Sequence, residues 1–392
     1  MAAKGRCRYS TASFANAVSG PAHNGLPIDI NLLGLKPCYS TNVKKLMHNS
    51  PAPPCPVLGV CGHSGAGKTT LLEEILPVLG ARGLSIAVVK HDAHGIQVDR
   101  AGKDSDRLFR AGAEILLQGP DESFLRTRHG RCDDLALALI ELSPHHDLIL
   151  IEGHKHSPCP KIWLQDREGG AMPAGLEGVV DCYPFDEGRA ARLLDFLDQW
   201  LPEQWRRPPV HACVLIGGKS RRMGRDKHLI QHEGKTWLER TVETLAPLCE
   251  TVVISGGGRV PQALNSYPRL PDAPGLQGPV AGILACMRWA PHANWLVCAC
   301  DMPDITKAAL EWLLAQRRPG VWGILPRRDR DAPVEPLFAL YDWRARHLLE
   351  AQTARGTMGP HAVATHGKVV SPPAPPSIVG AWRNVNTPPD LC

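Results

Sequence analysis

Val57-Leu58-Gly59-Val60-Cys61-Gly62-His63-Ser64-Gly65-Ala66-Gly67-Lys68-Thr69-Thr70 is the stretch that decides the fold. The first five residues form an apolar run, short enough and flanked so as to read as a buried strand. Gly62 to Thr69 fits G-x-x-x-x-G-K-[ST], and the residues from Lys68 to Ala81 read as a helix. Strand, glycine-rich turn and helix is the context that a phosphate-binding P-loop requires. Successive backbone N–H groups of such a loop curl round a phosphate, and the helix N-terminus adds positive potential. Gly62, Gly65 and Gly67 are therefore expected to shape the phosphate cradle. Lys68 is expected to reach the β- and γ-phosphates, and Thr69 to offer its hydroxyl to Mg²⁺.

Outward from this loop, strands and helices alternate. Strands are expected at Ser85–Lys90, Glu114–Gln118 and Asp147–Glu152, and helices at Asp104–Ala111, Asp133–Leu142 and Arg189–Trp200. Such alternation argues for a parallel sheet. A P-loop protein also needs an acidic group where a neighbouring strand emerges, and Glu152 ends Asp147–Glu152 at that place. It is assigned to Mg²⁺ or its water, whereas Asp147, at the far end, reads as structural. His91 and His94 follow the strand Ser85–Lys90 on the phosphate side and read as hydrogen-bonding rather than metal-binding.

The segment 201–209 is a linker by composition, after which the alternation restarts. Strands are expected at His211–Ile216, Thr251–Ser255, Trp295–Ala299, Gly320–Leu325 and Glu335–Tyr341. Helices are expected at Thr236–Leu248, Ala281–Trp289, Thr306–Gln316 and Asp342–Glu350. The expected fold class is α/β: two tandem three-layer domains with mostly parallel sheets. Their bounds are 57–200 and 210–392, preceded by an extension, 1–56, expected to be disordered.

With 392 residues the chain is long enough for two domains, and 43% hydrophobic content suffices for two cores. The formal net charge is +5; residues 1–50 hold six Lys/Arg and one acidic residue, so residues 51–392 hold 38 of each sign. That balance gives no support to nucleic-acid binding. The first 50 residues are basic and acid-poor, a faint likeness to a transit peptide, but read better as a tail or an upstream extension before Met47. No apolar run reaches the length of a membrane span. Thirteen Cys, with no CxxC pair and no secretory signal, read as free thiols in a reducing cytoplasm. Cys298 and Cys300 are expected to share a strand face without forming a metal site.

The second half carries a different motif. Leu215-Ile216-Gly217-Gly218 runs into Arg221-Arg222-Met223-Gly224 and Asp226-Lys227. A glycine pair lets backbone approach a nucleotide closely, while Arg222 and Lys227 bring positive charge onto a triphosphate. Asp301 follows the strand Trp295–Ala299. A carboxylate at the carboxyl end of a parallel strand is where an open α/β sheet holds its ligand, which makes Asp301 the Mg²⁺-ligand candidate. As an alternative it caps the next helix.

Gly62–Thr70, Val89-Lys90-His91, Gly102-Lys103-Asp104-Ser105 and Ile151-Glu152-Gly153-His154-Lys155 together resemble the MobB family, the P-loop GTP-binding partner of molybdopterin-guanine dinucleotide synthesis. That resemblance adds Thr70 to the nucleotide site. Residues 211 to the end resemble the molybdenum cofactor guanylyltransferases of the MobA family, nucleotidyltransferases of a Rossmann-like fold. By resemblance, Leu215, Gly217, Gly218, Arg222 and Lys227 line a GTP site. Asp272 and Asp301 lie near ribose and Mg²⁺, and Asn384 and Asn386 near the pterin-facing side. Ile216 stands where that family has Ala, which would narrow the base pocket. The implied reaction joins GMP from GTP to the phosphate of molybdopterin, releasing pyrophosphate. The expected cofactor is Mg²⁺, and the further partners are acceptor molybdoenzymes or their chaperones. A cytidylyltransferase, a sugar-phosphate nucleotidyltransferase and a GTP-dependent delivery protein are the competing functions.

Overall fold

The computed structural model describes residues 55–90, 98–127, 135–217, 226–383 and 385. The extension before Cys55, His91, His94, Gly218, Arg222, Asn384 and Asn386 lie outside the described residues. The first half runs β1 (Val57–Gly62), α1 (Lys68–Ala81), β2 (Ile86–Lys90), α2 (Asp104–Arg110), β3 (Ile115–Gln118), β4 (Ser123–Arg126), α3 (Leu135–Leu142), β5 (Leu148–Glu152), β6 (Lys161–Leu164), β7 (Val179–Tyr183) and α4 (Arg189–Arg206). Its sheet has the order β2-β5-β1-β6-β7, and every pairing in it is parallel. Leu58, Val60, Leu150, Ile162 and Leu164 of the sheet pack against Ile75 and Leu79 of α1 and Leu193, Leu197 and Leu201 of α4. Leu139 of α3 packs on the other face against Ile149 and Ile151, which completes three layers.

Three expectations need correction. The run at 114–118 is no strand of the parallel sheet: β3 pairs antiparallel with β4 in a separate hairpin. The polar turn after Gln118 returns the chain on itself, and Leu116, Leu117 and Leu125 stay exposed, so an apolar run of this length did not mean burial. β6 and β7 were not expected. β6 is short and opens on Lys161, and β7 is an edge strand with Asp181 and Cys182 exposed. The helix expected to stop at Trp200 continues through Pro202 to Arg206. Leu193, Leu197, Leu201 and Trp205, four residues apart on one face, are all buried. Their burial outweighs the roughly 3 kcal/mol that an interior proline costs.

The second half runs β8 (Val210–Leu215), β9 (Gln231–His232), β10 (Lys235–Thr236), α5 (Trp237–Leu245), β11 (Thr251–Ser255), β12 (Arg269–Leu270), α6 (Pro279–Trp289), β13 (Asn294–Ala299), α7 (Lys307–Ala315), β14 (Gly323–Ile324), β15 (Phe338–Tyr341), α8 (Ala345–Ala354) and β16 (Val369–Val370). Its main sheet has the order β12-β11-β8-β13-β15-β14-β16. It is parallel except at β15, which is antiparallel to both neighbours. α5 and α7 cover one face, α6 and α8 the other.

The two sheets meet at their amino ends. Asp147, just before β5, is fully buried. It accepts hydrogen bonds from Ser85 N at 2.7 Å and from Trp322 Nε1 at 2.6 Å, and it pairs with Lys368 Nζ. Trp322 precedes β14 and Lys368 precedes β16. Arg344, also buried, stacks on Trp205 with Cζ 4.0 Å from the ring centroid and donates to Asp342 at 3.0 Å. Trp343 packs into the first half beside Ala87, Leu139 and Ile149. The structural role read for Asp147 is thus visible as a junction between the halves.

Candidate functional sites

At the first site, Gly65 and Gly67 have φ of 78° and 80°, the left-handed region that glycine adopts without steric cost. A Cβ on Gly62 would come within 2.6 Å of Leu164 O, so the loop passes against β6 only because that side chain is absent. Lys68 Nζ lies across the loop, 2.8 Å from His63 O and 3.2 Å from Gly62 O. β1 pairs with β5 so that Val60 faces Glu152, and β2 pairs with β5 so that Lys90 faces Glu152. That register brings Thr69 Oγ1 to 2.9 Å from Glu152 Oε1 and Lys90 Nζ to 3.3 Å from it. Lys68, Thr69 and Glu152 converge, and Lys90 joins them.

Arg189, at the start of α4, was not singled out in the sequence. It is buried, and burial pulls its pKa below the usual guanidinium value. Its guanidinium donates to Ala66 O in the loop at 2.7 Å, to Pro184 O at 2.5 Å and to Gln165 O. One side chain thereby ties the phosphate loop to the segments after β6 and β7. Nothing local in the sequence marks it, because the carbonyls it serves lie up to 123 residues away.

At the second site, β8 lies between β11 and β13, and the chain moves to opposite sides of β8 to build them. That is the switch point at which doubly wound sheets bind ligands, outside the strands' carboxyl ends. Leu215 ends β8 in register with Ser255 and Ala299. Gly217 has φ 99°, and a Cβ there would lie 3.0 Å from Gly257 O, so the turns after β8 and β11 touch backbone to backbone. Lys227 Nζ is 3.3 Å from Asp301 Oδ2, with both side chains partly buried. Asp272 lies near the start of α6: a Cβ on Gly282 would sit 3.5 Å from its Oδ1 and 2.6 Å from Leu215. Val385, buried against Ile230 and Trp237, donates to Asp301 O at 2.9 Å. Leu215, Gly217, Lys227, Asp272 and Asp301 therefore share one end of the sheet.

Ile216, beside the Gly217 turn, is buried with Ala212 and Val214 in the α5-side core. Cys298 and Cys300 share that core, where burial pushes the Cys300 thiol up to about 12. Among the described residues no group of three or more His, Cys, Asp or Glu could hold a metal ion. The fit to Mg²⁺ rests on hard oxygen donors, Thr69 with Glu152 at the first site and the Asp301 and Asp272 carboxylates at one end of the second sheet, few enough to suit an ion that keeps several waters and takes the remainder of its shell from phosphates. The sequence reading missed the loop 326–332. It leaves the carboxyl end of β14 with Arg328 bonded to Trp382 O and 3.4 Å from Glu335. No helix among the described residues is long and apolar enough to cross a membrane.

Residues 57–176 match the family model "Molybdopterin guanine dinucleotide synthesis protein B", and residues 212–368 match "MobA-like NTP transferase domain". A molybdopterin-guanine dinucleotide biosynthesis adapter protein of Haemophilus influenzae is 35% identical over 159 residues, covering 37% of this chain and 89% of that protein. A molybdenum cofactor guanylyltransferase of Pseudomonas putida is 32% identical over 153 residues, 38% of this chain and 78% of the relative. A molybdenum cofactor biosynthesis bifunctional protein of Synechocystis is 40% identical over 112 residues, 28% of this chain and 32% of the relative.

Proposed function

Because the chain belongs to the MobB family over residues 57–176 and to the MobA-like NTP transferases over 212–368, we propose that it is a guanylyltransferase of the molybdenum cofactor fused to its GTP-binding partner. It transfers GMP from GTP to the terminal phosphate of molybdopterin and releases pyrophosphate. The observation that carries this reading is the Lys227–Asp301 pair, 3.3 Å apart at the switch point of the second sheet. The first domain runs from 57 to the end of α4 at Arg206, leaving only 207–209 of the expected linker outside helix, and the second spans 210–392; the protein acts in the cytoplasm, with acceptor molybdoenzymes or their chaperones as downstream partners.

The nucleophile is a phosphate monoester, whose second pKa of about 6 leaves it anionic near neutral pH. No general base is required. The protein's task is to align two anions and offset the charge that develops on the triphosphate. Lys227 and Arg222 supply fixed positive charge, and the Gly217–Gly218 turn lets backbone come close to the nucleotide. Asp301 would hold Mg²⁺, which supplies Lewis-acid polarisation of the phosphoryl group. Asp272 serves the ribose, and Asn384 and Asn386 the pterin side. In the first domain Lys68 and the loop amides hold the triphosphate, and Thr69 with Glu152 would hold its Mg²⁺. The test is turnover with molybdopterin and GTP, CTP or ATP, following dinucleotide and pyrophosphate. GTP is expected to be preferred; equal turnover with CTP would overturn the guanylyl assignment.

A further inference from the structure

Beside the phosphate loop stands an aromatic ring that the reading above leaves without a task. Phe185 follows the edge strand β7 and is 40% exposed, although a phenyl ring at this place gains nothing from water. Its Cε2 lies 4.0 Å from the position of a Cβ on Gly67, so the ring borders the very turn that opens α1. Two guanidinium groups attend it. Arg189 Cζ lies 4.6 Å from the ring centroid and is fixed by its bonds to Ala66, Gln165 and Pro184. Arg167 Cζ lies 5.1 Å from the centroid, and this side chain is exposed.

We propose that Phe185 is the stacking platform for the base of the nucleotide held by the first phosphate loop, with Arg167 reading that base as guanine. This rests on the phosphate-loop assignment made above. Any base can stack on an aromatic face, so Phe185 supplies affinity. Arginine has donors only. Guanine presents two acceptors, N7 and O6, on one edge, whereas adenine presents N7 beside an amino donor. Arg167 therefore favours guanine. Arg189 is the positioning residue, since it fixes the phosphate loop and the segments carrying Arg167 and Phe185 relative to one another.

The test uses the full chain carrying Lys227→Ala, which weakens triphosphate binding at the second site. GTP, ATP and inorganic tripolyphosphate are titrated by calorimetry with and without Lys68→Ala, and the binding lost with Lys68 is that of the first site. Phe185→Ala is expected to weaken this GTP binding roughly 5- to 150-fold, the range of base–aromatic stacking, and to leave tripolyphosphate binding unchanged. Phe185→Leu, which keeps most of the apolar volume, is expected to lose GTP affinity as well, and Phe185→Trp to retain it. Arg167→Gln is expected to narrow the preference for GTP over ATP. Equal loss of GTP and tripolyphosphate in the Phe185 variants, or unchanged GTP binding, would overturn the platform. An unchanged GTP-to-ATP ratio in Arg167→Gln would overturn the guanine reading. If Lys68→Ala removes no binding at all, the phosphate-loop assignment itself falls, and the platform with it.

Discussion

Replacing Asp147 by Ala should loosen the junction between the halves, and the structure sets the size of the effect. The carboxylate is fully buried and serves three donors: Ser85 N–H, the Trp322 indole and the Lys368 ammonium. The Lys368 side chain is only 12% exposed, so its charge cannot simply return to water. Removing one partner of a buried ion pair costs about 3–5 kcal/mol, because the other charge is left uncompensated. The orphaned N–H groups act in the same direction, but their costs overlap with this and are not added. Unfolding entropy of about 2.1 cal/mol/K per residue, taken over the unit Ala52–Cys392, gives roughly 0.7 kcal/mol/K. The expected fall in Tm is about 4–7 °C if the halves unfold together. Scanning calorimetry on the full chain checks it, with Asp147→Asn as a milder variant that keeps an acceptor. A fall below about 1 °C for the Ala variant would mean that Asp147 does not hold the junction.

Lys68→Ala should abolish GTP hydrolysis by the first site while leaving most dinucleotide formation intact. Asp301→Asn and Lys227→Ala should each cut that formation by about 10²–10³, the usual cost of one transition-state contact; phosphate release and dinucleotide yield, measured side by side, separate the two. Arg189→Lys should weaken tripolyphosphate binding at the first site about as much as Arg189→Ala. An ammonium cannot reproduce the planar fork that spans Ala66, Gln165 and Pro184, so a lysine that restored binding would reduce Arg189 to a bare charge. The N–H of Gly102, then Arg110 and Arg126, hold the Asp106 carboxyl at about 2, below the unfolded value near 3.9. Its contribution is therefore complete above about pH 4 and is lost as the pH falls through 2. Hydrogen exchange in α2 and in the β3–β4 hairpin that Arg126 ties to it should rise in that window; protection constant from pH 5 to pH 2 would refute the linkage.

The first site was legible because its chemistry is local. Gly62, Lys68 and Thr69 stand within eight residues, and the strand and helix around them follow from the same stretch. Glu152 could be found because a strand ending in a carboxylate has a recognisable pattern, even 83 residues from Thr69. Arg189 and Phe185 could not be found that way. Each acts through its place in the fold, after a helix start and an edge strand that carry no motif. β6 was missed for a related reason: a four-residue strand opening on a buried lysine looks polar, although Lys161 Nζ is satisfied by the carbonyls of Ser157 and Glu177. Conversely, β3 looked like a core strand because composition does not show that its partner is a hairpin rather than the sheet. Pro202 misled in the same direction, since a helix end was inferred from one residue while the buried face continued through Trp205.

The junction also bears on why two candidate nucleotide sites occupy one chain. Asp147, Ser85 and Trp343 meet at the amino ends of both sheets, whereas Thr69–Glu152 and Lys227–Asp301 lie at the carboxyl ends. β5 and β13 have five and six residues, or roughly 17 and 20 Å at about 3.3 Å per residue. Each candidate site therefore lies at the end of its own sheet away from the junction. β5 links the first site to the junction between the halves. Its carboxyl end carries Glu152 beside Thr69, and its amino end is fastened by Asp147 to Trp322 and Lys368. The minor part of the transfer rate that is lost in Lys68→Ala should be lost equally in Asp147→Ala with Lys68 intact, and a full transfer rate in Asp147→Ala would place the coupling on another path.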